Sequence, residues 1–133
     1  MALATFSAII DFALQGERTG LEFFAAAVRS APETKQAALA RLQAAAEKNL
    51  KLLQAVLREQ VTEMVMEPCE PVPEASYALD VSGDDPLGIA LRLLEKQRDF
   101  LRHAAQAINL GEVKRALERI AERKNQLISE ISR

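Results

Sequence analysis

Histidine and cysteine each occur once in these 133 residues, and tryptophan does not occur at all. The single cysteine, Cys69, excludes an internal disulfide and any thiolate cluster around a metal. Proline and glycine number five each, against 49% hydrophobic and 27% charged residues, a balance that excludes a disordered chain. An excess of either charge is also missing. The net charge is −2 with both signs mixed along every segment, so no basic stripe exists to bind a phosphate backbone, and nucleic acid is not an expected partner. Long apolar runs are absent too: Ala2 to Ile10 and Phe23 to Val28 fall short of the roughly 20 residues that cross a bilayer. The N-terminus has no basic stretch of the kind that opens a signal peptide. These absences describe a soluble, cytoplasmic protein without a membrane partner, one domain over residues 1–133, large enough to bury an aliphatic core.

What is present is helical periodicity. Phe6, Ile9, Ile10, Ala13, Leu14, Leu21, Phe24, Ala27 and Val28 recur at the spacing of one helix face, which predicts a helix over about 4–30. Ser30-Ala31-Pro32-Glu33 has the form of a capping box with a proline in the first turn, so a second helix is expected over about 33–61. The short break makes the two antiparallel neighbours. Over 62–85 the periodicity stops, and Pro68, Pro71, Pro73 and Gly83 break any continuing helix. That segment reads as a crossover running the height of a bundle, with Met64, Val65, Met66, Val72 and Tyr77 available to pack along it. Asp85-Pro86 has the pattern of an N-cap followed by the first helical residue and opens a helix over about 86–108. Asn109-Leu110-Gly111-Glu112 then separates it from a fourth over about 111–132. The fold expected is all-α, an antiparallel four-helix bundle made of two hairpins and one long crossover. Sliding Ala13 to Val28 onto Ala90 to Ala105 aligns Ala13, Leu14, Phe23 and Ala27 with Ala90, Leu91, Phe100 and Ala104, a weak internal repeat.

The stretch Ala13-Leu14-Gln15-Gly16-Glu17-Arg18-Thr19-Gly20-Leu21-Glu22-Phe23-Phe24-Ala25-Ala26-Ala27 resembles the first-helix signature of rubrerythrin-like members of the ferritin-like superfamily. Leu42 to Leu53 looks like the second-helix motif, the crossover is similar in place and length, and Leu91 to Ala105 and Leu117 to Ile131 echo the second half. The resemblance implies a ferritin-like bundle, and in that family a di-iron centre. Such a centre takes one Glu from each of two helices and a Glu-x-x-His from each of the other two. Laid on this sequence, those positions hold Glu17, then Ala46 and Asn49, then Leu94, then Lys124 and Leu127. Only Glu17 is a remnant ligand. The sole histidine, His103, follows Phe100 at the spacing where the motif needs a glutamate.

Helical spacing alone singles out the same level of the bundle. Glu17 shares a stripe with Ile10, Ala13 and Phe24; Asn49 with Leu42, Leu53 and Val56; Gln97 with Leu94, Leu101 and Ala104; Lys124 with Leu117, Ile120 and Ile131. All four lie near mid-helix, so a buried polar cluster is expected in which Glu17 and Lys124 neutralise each other and the amides complete the hydrogen bonding. The other courses are that Lys124 snorkels to the bundle edge and that Asn49 bonds to a neighbouring backbone. Glu47, Glu95 and Glu122 read as solvated surface, His103 as an exposed histidine with Asp99 one turn before it, and Phe23-Phe24 as core packing. The Gly16 to Gly20 run reads as a place of close helix approach or loosened helix.

The function expected from these residues is non-enzymatic: a ferritin-like helical protein that has lost its metals and cofactors and acts as a binding or assembly module, most simply as a homodimer. The alternative is a rubrerythrin-like oxidoreductase or iron-handling protein, holding iron or manganese with Glu17 and some of Glu47, Glu95 and Glu122. A third reading is an unrelated four-helix bundle that binds a small apolar ligand or a partner helix.

Overall fold

The computed structural model describes residues 2–64 and 68–132, the side chains of 60–68 excepted. Four long helices dominate it: α1 (Phe6–Ser30), α2 (Glu33–Met64), α3 (Pro86–Ala107) and α4 (Gly111–Ser132). They pack as two antiparallel hairpins, α1 on α2 and α3 on α4, joined by the crossover into a four-helix bundle. No helix among the described residues is long and apolar enough to cross a membrane.

The helix limits show which local signals decide. Expected from residue 4, α1 starts at Phe6 because Thr5 turns extended and its hydroxyl oxygen accepts the Ala8 N–H at 3.2 Å, as an N-cap does. The Ser30 capping box does not form. Ser30 is still inside α1 and its hydroxyl donates back to the Ala26 carbonyl at 3.3 Å, an i−4 bond open to any serine within a helix. Only Ala31 and Pro32 separate the two helices, and Ala31 is buried in the turn. The second helix continues to Met64, past the expected end at 61, since loss of apolar periodicity does not stop a helix and no proline intervenes before Pro68. Asp85 occupies the residue before α3 with Pro86 at its first position, but its side chain makes no capping hydrogen bond; it faces the Lys35 ammonium at 3.8 Å.

The crossover holds structure that periodicity did not indicate. Residues Ala2–Thr5 (β1) and Pro68–Pro73 (β2) form an antiparallel ribbon in which Leu3 pairs with Val72 and Ala2 with Pro73. Prolines are tolerated because each strand of a two-stranded ribbon is an edge. The ribbon drives Val72, fully buried, into the core beside Phe6, Ile9 and Ile10. A single 3₁₀ turn, Glu74–Tyr77, follows, and Tyr77 also packs on that core. Of the other crossover residues expected to pack, Val65, Met66 and the Met64 side chain lie outside the described residues. Gly83 has φ +123°, a conformation that disfavours any side chain.

The core is in two apolar layers. One gathers Phe6 to Leu14 of α1, Leu53 of α2, Phe100 to Ala107 of α3 and Val113 to Ala121 of α4. The other gathers Phe24 to Ala27 of α1, Leu39 to Ala46 of α2 and Ile89 to Leu94 of α3, with Leu127, Ile128 and Ile131 of α4 packed against it. Among the described residues, one buried polar side chain on each helix falls between the two layers: Glu17, Asn49, Gln97 and Lys124.

Candidate functional site

Those four side chains make a polar seam across the middle of an otherwise aliphatic bundle. Each is nearly inaccessible: Glu17 and Lys124 are 2% exposed, Asn49 4% and Gln97 6%. Lys124 Nζ lies 2.6 Å from Glu17 Oε1 and donates to Gln97 Oε1 at 3.0 Å. Gln97 in turn donates from Nε2 to the Gly16 carbonyl at 2.8 Å. The circuit runs α1, α4, α3 and back to α1, tying both hairpins through two charge-assisted bonds and one between neutral amide groups. Lys124 does not reach solvent. Asn49 is buried at the same level, but no hydrogen bond among the described residues joins it to the other three.

A glycine eases the close approach in the circuit. A Cβ on Gly20 would stand 3.0 Å from Gln97 Nε2 and 3.4 Å from the Phe24 ring, so any larger residue there would make the amide give way by a few tenths of an ångström. At Gly16 the demand is weaker, since an added Cβ would meet only Leu79, at 4.0 Å.

The residues present do not fit a di-iron centre. Of the six positions that the ferritin-like motif would use, Ala46, Leu94 and Leu127 offer no donor and Lys124 brings a positive charge to the place where cations would sit. Glu47, Glu95 and Glu122 point outward and are exposed. Among the described residues no three His, Cys, Asp or Glu side chains converge in a way that could hold a metal ion.

Beside the seam lies a pocket of about 220 Å³ between α1, α3 and the end of the crossover. Phe12 and Ala13 of α1, Tyr77 and Leu79 of the crossover and Phe100 and Leu101 of α3 make its apolar walls, and Glu17 and Gln97 line it as well. An aromatic cluster supports one wall. The Phe100 ring lies 4.7 Å from Phe12 and 5.5 Å from Tyr77, the second pair edge to face. Tyr77 Oη is hydrogen-bonded to His103 Nδ1 at 2.8 Å. Thus His103, read from the sequence as exposed, is half-buried and tethers the crossover to α3. The pocket and this tether were not anticipated; their only trace in the sequence is that the one tyrosine of the chain stands in a proline-rich connector.

Burial, and secondarily the Asp99 carboxylate, push the Tyr77 phenol above its ordinary value of 10.0. Because the folded state holds this proton more tightly than the unfolded chain, the phenol's stabilising contribution is complete below pH about 10. It is lost as pH rises through the folded value. An alkaline ultraviolet titration, unambiguous with a single tyrosine, should place the midpoint above that of the denatured protein, and a midpoint at or below it would contradict the half-buried position beside Asp99.

Phe23 and Phe24 meet edge to face, with Phe24 in the core and Phe23 partly covered. Cys69 is half-buried against the first core layer. Compared with protein-family models, with curated proteins and with solved structures, the chain finds no match.

Proposed function

We propose that this is a non-enzymatic helical binding module of ferritin-like type, in which an internal ion pair stands where a dimetal centre would be. One observation carries the reading: Lys124 Nζ is 2.6 Å from the sole remaining ligand-type carboxylate, Glu17, deep inside the bundle. A lysine ammonium both neutralises that carboxylate and repels a cation, so the pair substitutes for metal in charge and in position. The order of motifs along the chain supports the ferritin-like origin.

A module of this kind can work by holding a small molecule or by assembling, as a cytoplasmic homodimer in the simplest case. The pocket supports the first. For assembly the surface offers less, because Val81 is the one exposed large hydrophobic side chain among the described residues. The rubrerythrin-like alternative, an oxidoreductase or iron-handling protein, draws no support from Glu47, Glu95 and Glu122, which face solvent on the outer surfaces of their helices.

Protein purified without chelator is expected to carry well under one equivalent of iron, manganese or zinc by inductively coupled plasma mass spectrometry, before and after Glu17→Ala. Stoichiometric metal that disappears in Glu17→Ala would refute the reading.

A further inference from the structure

Glu17 has two carboxylate oxygens and the bundle uses one. Oε1 receives Lys124, whereas Oε2 is buried and no donor among the described residues reaches it. A buried carboxylate oxygen left without a donor is costly, and such groups in folded proteins have a partner to find. Glu17 is also a lining residue of the pocket, whose other walls combine aromatic and aliphatic side chains with Gln15, Thr19, Lys96 and Gln97.

We propose that this pocket binds a small, neutral, planar aromatic molecule bearing one hydrogen-bond donor, its ring against Phe12, Tyr77 and Phe100 and its donor on Glu17 Oε2. The inference deepens the binding reading above and rests on it. Three observations set the ligand class. An apolar cavity of roughly 150 Å³ holds benzene, so about 220 Å³ admits one ring or a fused pair. The ring walls favour offset or edge-on contact with a flat partner. Charge decides the rest: Glu17 and Lys124 already cancel, so a cationic ligand would add an uncompensated charge beside the buried ammonium and the Lys96 side chain, and an anionic one would face Oε2, the exposed Lys96 ammonium being engaged by the Ser76 carbonyl. A phenol, an indole or a similar N–H or O–H aromatic satisfies the oxygen without adding charge.

Indole and indene provide the test, since they share shape and differ in the N–H. Titrations followed by amide chemical shifts should show saturable one-to-one binding of indole, with shifts at Phe12, Tyr77 and Phe100. Indene should bind about 10- to 100-fold more weakly, the range for a hydrogen bond to a charged acceptor. Gly16→Leu should abolish indole binding. A Cβ at Gly16 would meet only Leu79, at an ordinary 4.0 Å, so the new side chain extends into the pocket, and replacing glycine within a helix favours folding. If Gly16→Leu fails to fold, Ala78→Trp at the exposed mouth obstructs the same pocket. Equal affinity for indole and indene, no binding of either, or binding that survives the pocket-filling variant would each overturn the proposal. The metal measurement is separate, so failure here leaves the ion-pair reading standing, and metal in the bundle would defeat that reading whatever indole does.

Discussion

Lys124→Met should destabilise the fold by about 3–5 kcal/mol, the usual consequence of removing one partner from a buried ion pair, whereas Glu17→Met combined with Lys124→Met should recover most of that loss. The two outcomes separate two contributions. With both charges present, desolvation of each is offset by a 2.6 Å contact and by the Gln97 acceptor. With the lysine gone, Glu17 at 2% exposure is left without a counter-charge, and Gln97 Oε1 loses its donor. With both gone, two thioether side chains fill the seam between existing apolar layers and need no partner. Chemical denaturation of the wild type, both single variants and the double variant gives the coupling directly. A single variant within about 1 kcal/mol of wild type would mean that the pair is solvated in solution. If both outcomes are met, the ion pair serves specificity more than stability: together with Gln97 it holds three helices at one level.

The second large effect is expected at Phe100. Its side chain is 3% exposed and touches Phe12 and Tyr77, so it joins α1, α3 and the crossover at one point. Phe100→Ala should cost about 3 kcal/mol, near the lower end for truncating a buried phenylalanine, because the space it vacates opens into the neighbouring pocket and leaves no sealed void. The midpoint of denaturation should fall with little change of slope. A loss below about 1 kcal/mol would show that the aromatic cluster is not packed as described.

The helices were legible because each writes its own apolar stripe, and their limits follow from periodicity and proline to within a few residues. The seam was legible for the same reason. Glu17, Asn49, Gln97 and Lys124 each interrupt an apolar stripe at mid-helix, and antiparallel helices of similar length bring mid-points together. Contacts between segments with no shared period were not legible. The ribbon pairs Leu3 with Val72 across the whole of two helices, and three prolines in the second strand argue against a strand until it is known to be an edge. Tyr77 and His103 are likewise joined only by the path of the crossover, and the unused oxygen of Glu17 depends on side-chain rotation that no pattern of residues encodes. Ser30 and Asp85 teach a narrower lesson. Both have the residue type of a cap, but Ser30 found the Ala26 carbonyl and Asp85 turned toward Lys35, so the type offers a cap and geometry decides.

Crystals grown in excess manganese and measured at its absorption edge test the central claim most directly. The account predicts Lys124 Nζ within hydrogen-bonding distance of Glu17 and no anomalous peak between the two apolar layers. A manganese peak there, bound by Glu17 with Lys124 swung aside, would contradict it.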